Sequence, residues 1–156
     1  MRFGVASASR HDEDVDTSRA LGPLIPELDV TDLTASVEFY ALLGFRVQYE
    51  RSEEGFACLV CPGAALMLQA TDGPGRRFRT ALLERPFGRG VNFQLEVDDV
   101  DRVYRRVRDA GHRIEVALEE RWYRVGTSEV GNRQFVVADA DGYLIRPFTS
   151  LGAREA

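Results

Sequence analysis

Several features that define other classes of protein are missing from this chain of 156 residues. No apolar run is long enough for a membrane-spanning helix, and residues 1–22 lack the apolar core of an export signal. The formal net charge is −5, whereas nucleic-acid binding needs clustered positive charge to neutralise phosphates. We therefore expect a cytoplasmic protein that binds neither a membrane nor a nucleic acid. An acidic surface of this kind suits a cationic small molecule.

Cysteine and histidine are scarce, with two residues of each. Cys58 and Cys61 lie three apart in a predicted strand, so their side chains point to opposite faces and should not bridge. A zinc site would need two further ligands, and a redox pair would sit where a helix begins. The pattern favours buried, reduced thiols. His11, in a polar segment, and His112, beyond a predicted helix, are both interpreted as incidental rather than as metal ligands.

The chain does contain an internal repeat. The segment LDVTDLTASVEFYALLGFRV, residues 28–47, aligns without gaps on LEVDDVDRVYRRVRDAGHRI, residues 95–114. Each copy predicts a strand, a helix with an aspartate cap and a glycine stop. These caps and stops are Asp32 and Gly44 in the first copy and Asp99 and Gly111 in the second. Apolar residues recur at helical spacing, so one face of each helix should pack on a sheet.

More strands are predicted after each helix. They are 45–50, 55–60 and 64–69 in the first half, and most clearly 133–138 and 143–148 in the second. The last two flank Asp139-Ala140-Asp141-Gly142, in which Asp-Gly is a strong hairpin signal. The chain is therefore predicted to be an α+β protein of two tandem βαβββ modules. The predicted divisions are a disordered polar tail at 1–21, a first module at 22–70, a linker at 71–90 and a second module at 91–151.

These motifs resemble those of a known superfamily. VTDLTASVEFYALLGF resembles the opening signature of the vicinal oxygen chelate superfamily, and GNRQFVVADADGYLIR resembles its closing DPDG hairpin, with Ala140 in place of proline. Together with GVNFQLEVDDVD, the similarity extends from Leu24 to Leu151. The superfamily includes glyoxalases, dioxygenases, epimerases and metal-free bleomycin-binding proteins, so the fold alone does not choose a function. The resemblance implies a homodimer, formed by strand exchange or by pairing of modules, with ligand clefts between the subunits.

The resemblance also implies where a metal would bind. In the metal enzymes a histidine lies five residues before the valine of V-x-D in each first strand, and a glutamate lies four residues after the glycine of DPDG. Those positions hold Ile25, Asn92 and Arg146, and near the remaining one, at Leu68, the nearest polar residue is Gln69. Isoleucine cannot coordinate, and arginine brings a fixed positive charge. No metal, cofactor or catalytic residue is therefore predicted.

In two respects the chain resembles the bleomycin-resistance branch of the superfamily, which binds its drug without altering it. Arg146 replaces the glutamate ligand, and the first strand lacks the leading histidine. The favoured hypothesis is therefore a protein that sequesters a cationic, bleomycin-like glycopeptide or a related small molecule. One departure is that the branch often has a tryptophan before the glycine of the penultimate strand, where this chain has Val130. Two alternatives stay open. One is a glyoxalase, lyase or dioxygenase type of enzyme with an atypical metal site, and the other is a non-catalytic ligand sensor.

Strand alternation predicts which side chains line the cleft. The residues that share a face with the former ligand positions are polar and acidic: Glu27, Asp29, Asn92, Gln94 and Glu96. Flat walls for stacking on ring systems are predicted from Phe56, Trp122, Tyr123 and Phe148. Arg146 is predicted either to contact ligand or to pair with Glu27 or Asp29. The alternatives are a polar face that is merely solvated and an atypical metal site at Glu27 and Glu96. The linker arginines Arg76, Arg77, Arg79 and Arg85 are interpreted as a solvated face.

Overall fold

The computed structural model describes residues 21–156. It contains two copies of one βαβββ arrangement, which confirms the predicted α+β fold. The predicted tail lies outside the described residues except for Leu21. None of the helices within 21–156 is both long and apolar enough to cross a membrane.

Each module builds one four-stranded sheet and one helix. The first comprises β1 (Glu27–Val30), α1 (Leu33–Leu42), β2 (Arg46–Arg51), β3 (Phe56–Cys61) and β4 (Ala64–Ala70). The second comprises β5 (Asn92–Glu96), α2 (Val100–Asp109), β6 (Ile114–Val125), β7 (Ser128–Ala138) and β8 (Leu144–Glu155). The strand orders are β1-β4-β3-β2 and β5-β8-β7-β6, in which the first and last strands of each module pair in parallel. The other neighbours are antiparallel.

Both helices begin where their aspartate caps predict. Asp32 accepts a hydrogen bond from the backbone N–H of Ala35 at 3.0 Å, and Asp99 accepts one from that of Arg102 at 2.9 Å. Such caps satisfy backbone donors that the first helical turn leaves without a partner. Gly44 follows α1 with a φ of +102°, a left-handed conformation that costs glycine little because it has no Cβ.

One hydrophobic core extends through both modules. Each sheet contributes its helix-facing side chains, which include Leu28, Leu59 and Leu68 from the first sheet and Leu95, Phe135 and Ile145 from the second. Phe39 of α1 also packs edge-on against the ring of His112, with the ring centroids 4.8 Å apart. His112 is therefore part of the packing between the modules.

The loop between β7 and β8 is a polar junction between the modules. Asp139 accepts hydrogen bonds from the backbone N–H groups of residues 141–143 and from the Tyr40 hydroxyl of α1. Asp141, which is 1% exposed, accepts from the backbone N–H and the hydroxyl of Thr31 and from Arg85. Buried carboxylates require such partners. The predicted Asp-Gly hairpin thus also connects the second module to the first.

Three of the four linker arginines, Arg77, Arg79 and Arg85, correct the expectation of a solvated face. Arg79 donates two hydrogen bonds to the Asp29 carboxylate, at 2.9 and 2.8 Å. Arg77 donates to the backbone carbonyl oxygens of Ala70 and Gly75. Together with Arg85, they attach the linker to the two modules.

The last two strands, β7 and β8, are longer than the sequence predicts. β8 continues beyond 148 to Glu155, and β7 begins at Ser128 instead of 133. The added residues pair with each other, since Gly131 lies opposite both Trp122 and Gly152. Glycines and mixed polar residues hide the period of two here, so the alternation that predicts a strand is absent.

The two cysteines are free thiols, as the sequence predicts. Cys58 is fully buried and Cys61 is half-buried. Burial raises the pKa of both thiols, which disfavours the reactive thiolate form.

Candidate functional site

Each sheet has one face that packs on the helices and a second face that we call its cup face. Side chains directly opposite each other on paired strands share a face. On the first sheet this places Asp29, Gln69 and Phe56 together. On the second sheet the cup face includes Gln94, Glu96, Glu119, Tyr123, Gln134, Arg146 and Phe148. Glu27 and Asn92 extend the two cup faces along β1 and β5.

Two polar residues of the first cup face, Asp29 and Gln69, are bonded to other groups of the chain, whereas Glu27 at the edge is exposed. The charge of Asp29 is neutralised by Arg79. Gln69, 3% exposed, donates to the backbone carbonyl oxygens of Glu54 and Gly55 at 2.8 and 3.2 Å. These contacts leave neither Asp29 nor the Gln69 amide N–H groups available to a ligand.

Phe56 does not form the exposed stacking wall that the sequence predicts. Its ring is 2% exposed, because the Arg51 guanidinium lies 3.7 Å above it and Tyr49 stacks beside it. A ligand ring cannot reach a side chain that is covered in this way. Phe56 is therefore a packing residue of the first module.

The cup face of the second sheet holds a polar cluster that is only partly satisfied. Gln134, also 3% exposed, donates from Nε2 to the Tyr123 hydroxyl at 2.7 Å and to the Glu119 carboxylate at 3.3 Å. Arg146 donates from Nη1 to the same Tyr123 oxygen at 3.2 Å. Gln134 Oε1 and Arg146 Nε are buried and have no hydrogen-bond partner within residues 21–156.

An unpaired buried polar atom costs about 1–3 kcal/mol, so two of them in one cluster require a physical reason. Arg146 does not pair with Glu27 or Asp29, which corrects one of the sequence predictions. No salt bridge within the described chain includes Arg146. Its guanidinium carbon lies 5.9 Å from the centre of the Tyr123 ring instead. The cluster therefore has hydrogen-bonding capacity that the described residues leave unused.

Trp122 and Tyr123, which are both predicted as walls of the cleft, lie on opposite faces of β6. Adjacent residues of a strand point to opposite faces, so Trp122 lies on the face away from Gln134 and Arg146. Its ring covers Gly131, where a Cβ would lie only 2.8 Å from the indole, and the Arg154 guanidinium lies 3.9 Å from the ring centre. Trp122 thus packs the extended end of the second sheet. The close approach also explains why residue 131 is glycine.

Two residues of the cluster, Glu119 and Gln134, are missing from the sequence prediction. Gln134 could have been found, because Phe135 and Val137 belong to the core and alternation places residue 134 on the opposite face. Glu119 could not, because its position depends on register shifts in the pairing of β6 with β7. Those shifts are not visible in a single sequence.

Two cavities lie away from the polar cluster of Gln134 and Arg146. The larger, of about 700 Å³, borders the junction loop, where Arg85 and Arg113 are already paired with Asp141 and Glu115. The smaller, of about 300 Å³, lies between the modules and is lined mostly by apolar side chains, with Gln94 at its border. Neither contains the unsatisfied cluster. The unsatisfied polar atoms therefore favour the second cup face, and not the larger cavity, as the candidate ligand site.

Comparison with known proteins identifies the family. A family model described as the Glyoxalase/Bleomycin resistance protein/Dioxygenase superfamily matches residues 26–146. The chain belongs to this superfamily. No curated protein gives a significant match.

Several solved structures share the fold at low sequence identity. The chain is similar to TioX from Micromonospora sp. ML1, with a TM-score of 0.64 and 23% identity, over 82% of this chain and 98% of that one. It is similar to the V. Cholerae integron cassette protein VCH_CASS1, with a TM-score of 0.61 and 20% identity, over 80% and 91%. A bleomycin resistance determinant encoded on transposon Tn5 gives 0.52 and 22%, over 83% and 98%.

The side chains at the superfamily's metal positions do not fit the metal. Arg146 places its positive charge on the cup face, where the metal enzymes have a glutamate, and Ile25 offers no donor atom. Within residues 21–156 no three His, Cys, Asp or Glu side chains are grouped closely enough to hold an ion.

Proposed function

We propose that this protein sequesters a bleomycin-like glycopeptide, or a related cationic natural product, without altering it. The binding cleft is the cup face of the second sheet, completed by a second copy of the chain, in the cytoplasm. The observation that carries the proposal is the polar cluster at Arg146. A guanidinium replaces a metal ligand there, beside buried polar atoms that the described residues leave without partners. Such a surface is suited to hydrogen bonding and lacks the donors of a metal centre.

Charge on the cup faces supports a cationic ligand, though less strongly than the sequence implies. Asp29 is excluded as an attracting group because Arg79 neutralises it. Glu27 and Glu96 remain exposed and enter no salt bridge within 21–156. Phe148, half-buried and opposite Gln134, offers a flat ring to the ligand. Attraction between exposed charges is screened by salt, so affinity should fall as ionic strength rises.

Open strand edges and exposed apolar side chains support the homodimer. β1 and β5 each form one edge of their sheets, and exposed edges favour pairing with another chain. Val125, Val130 and Leu151, on the extended strands, are 59%, 38% and 38% exposed. We expect sedimentation to give a dimer at micromolar concentration. A protein that is monomeric under those conditions contradicts this part of the proposal.

Calorimetric titration with metal-free and with copper-loaded bleomycin tests the binding proposal. We expect micromolar affinity or better, about −8 kcal/mol. Arg146→Gln should weaken binding by about tenfold, because a charged hydrogen bond is worth more than 1 kcal/mol. Arg105→Gln, on the exposed surface of α2, is the matched control and should bind like the parent. If the folded protein gives no heat of binding at high micromolar bleomycin, the proposal that it binds this class of drug is rejected.

Elemental analysis of protein purified without chelator tests the absence of a metal. We expect no stoichiometric divalent ion. If a stoichiometric ion is present and disappears when Glu27 and Glu96 are substituted, the proposal is contradicted. The result would favour an enzyme with an atypical metal site.

A further inference from the structure

The two sides of the Gln134 carboxamide are used unequally. Its Nε2 donates to Tyr123 and Glu119, whereas its Oε1 accepts no hydrogen bond within the described chain. The neighbouring carboxylate fixes this orientation, since Glu119 can accept a hydrogen bond but, when ionised, cannot donate one. A flipped amide would bring two acceptor oxygens within 3.3 Å of each other. The unused atom on this side chain is therefore an acceptor.

The Tyr123 hydroxyl oxygen accepts from two donors that lie on different strands. One is Gln134 Nε2 of β7 at 2.7 Å, and the other is Arg146 Nη1 of β8 at 3.2 Å. Tyr123 itself lies on β6, the edge strand of the sheet, and is 37% exposed. A side chain at an exposed edge can rotate into solvent without disturbing the core. The position between the two donors could then receive another oxygen atom.

We propose that Gln134 and Arg146 bind a carboxamide-like group of the ligand, one that carries a carbonyl oxygen and an N–H donor side by side. The carbonyl oxygen takes the position that the Tyr123 hydroxyl holds in the free protein and accepts from both donors. The ligand N–H donates to Gln134 Oε1. The hydroxyl oxygen of Tyr123 accepts from Gln134 Nε2 and Arg146 Nη1 and leaves Gln134 Oε1 unpaired, whereas an amide accepts from the same two donors and also pairs with Gln134 Oε1. This deepens the proposed function, on which it rests only for the choice of the second cup face.

The same chemistry predicts what the site rejects. A carboxylate is attracted by the Arg146 charge, but its second oxygen would face Gln134 Oε1, acceptor against acceptor. A tertiary amide has the carbonyl oxygen and no N–H. Sites that leave a buried polar group unpaired discriminate strongly against the ligand that fails to pair it. The ring of Phe148, opposite Gln134, favours a carboxamide carried on a flat ring.

Benzamide, benzoate and N,N-dimethylbenzamide are suitable probes for the full chain. We expect benzamide, at millimolar concentration, to shift the NMR signals of the Gln134 side-chain amide and of the Arg146 Nε–H saturably. The other two probes should bind about tenfold more weakly, the cost of one lost hydrogen bond. The side-chain amide of Gln69, equally buried on the other sheet, is the internal control and should not move. Equal or tighter binding of benzoate, or no benzamide shift at Gln134, overturns the proposal.

Tyr123→Phe tests whether the Tyr123 hydroxyl occupies, in the free protein, the position that the ligand's carbonyl oxygen takes. Because the substitution removes a competitor for Gln134 and Arg146, benzamide affinity should rise several-fold. If the tyrosine instead donated a hydrogen bond to the ligand, benzamide affinity would fall. An unchanged or lower affinity overturns the displacement. Gln134→Leu should abolish the benzamide-dependent shift of the Arg146 Nε–H signal, with a thermal melt confirming that the variant folds. If that variant does not fold, the ranking of the three probes on the parent decides.

These results are independent of the drug assignment. Benzamide binding without bleomycin binding rejects only the drug class of the proposed function. Bleomycin binding without a benzamide response rejects only the carboxamide site.

Discussion

Gln69 of β4 and Gln134 of β7 are buried glutamines on the cup faces of the two modules, and their side chains make different contacts. Both lie on the cup face of their sheet and both are 3% exposed. Gln69 donates to two backbone carbonyl oxygens and closes the turn before β3. The Gln134 side chain hydrogen-bonds to other side chains, and its Oε1 has no partner within residues 21–156. On the first cup face the buried glutamine thus fixes the backbone, whereas on the second it has an acceptor that the described residues leave unpaired.

Gln69→Leu should produce the largest change in stability. The substitution leaves the carbonyl oxygens of Glu54 and Gly55 without their donor, at a cost of about 2 kcal/mol in the free energy of unfolding. Bleomycin affinity of the folded variant should stay unchanged. Chemical denaturation and calorimetry measure the two quantities, and a loss of affinity without a loss of stability would reverse the roles assigned to the two faces.

Gln134→Leu should give the opposite pattern. We expect ligand affinity to fall by about tenfold, because the group that pairs with the ligand is gone. Stability should change by less than about 1 kcal/mol, because the unpaired Oε1 is removed together with the lost donor. The same two methods apply, with Gln69→Leu as the matched control. A large destabilisation with normal binding contradicts the assignment.

Arg79→Gln tests whether the first cup face is closed. It breaks the two hydrogen bonds to Asp29, a pair that is partly exposed and so is worth about 1 kcal/mol at most. Ligand affinity should not respond, unlike the response to Arg146→Gln. A marked gain in affinity for the cationic drug would show that Asp29 faces the ligand once it is freed.

The pH dependence of the free energy of unfolding should report on Asp139, in the polar junction between the modules. Burial raises the pKa of Asp139 above its usual value. As pH rises, the unfolded chain therefore releases this proton before the folded chain does. The free energy of unfolding should fall between the ordinary aspartate pKa and the raised one. Asp139→Asn, which keeps an acceptor oxygen, should flatten that slope in denaturation curves, and a slope that is unchanged would show that other groups cause it.

The sequence predicts the features that depend on local pattern. The repeated strand and helix, the caps at Asp32 and Asp99 and the final hairpin follow from residue type and spacing, and the structure confirms them. Alternation also places Gln94 and Arg146 on one face. What it cannot predict is which side chains pair over long distances, such as Arg79 with Asp29. Those pairings decide which polar residues remain available, and they depend on how the linker lies against the sheet.

The most direct test of the account is an NMR titration of the full chain with metal-free bleomycin, which follows the side-chain signals of both sheets in one experiment. The account predicts shifts at Gln134, Arg146 and Gln94, on the second cup face, and none at Gln69. Shifts centred on Gln69 and its neighbours, with Gln134 unmoved, would contradict the assignment of ligand binding to the second module.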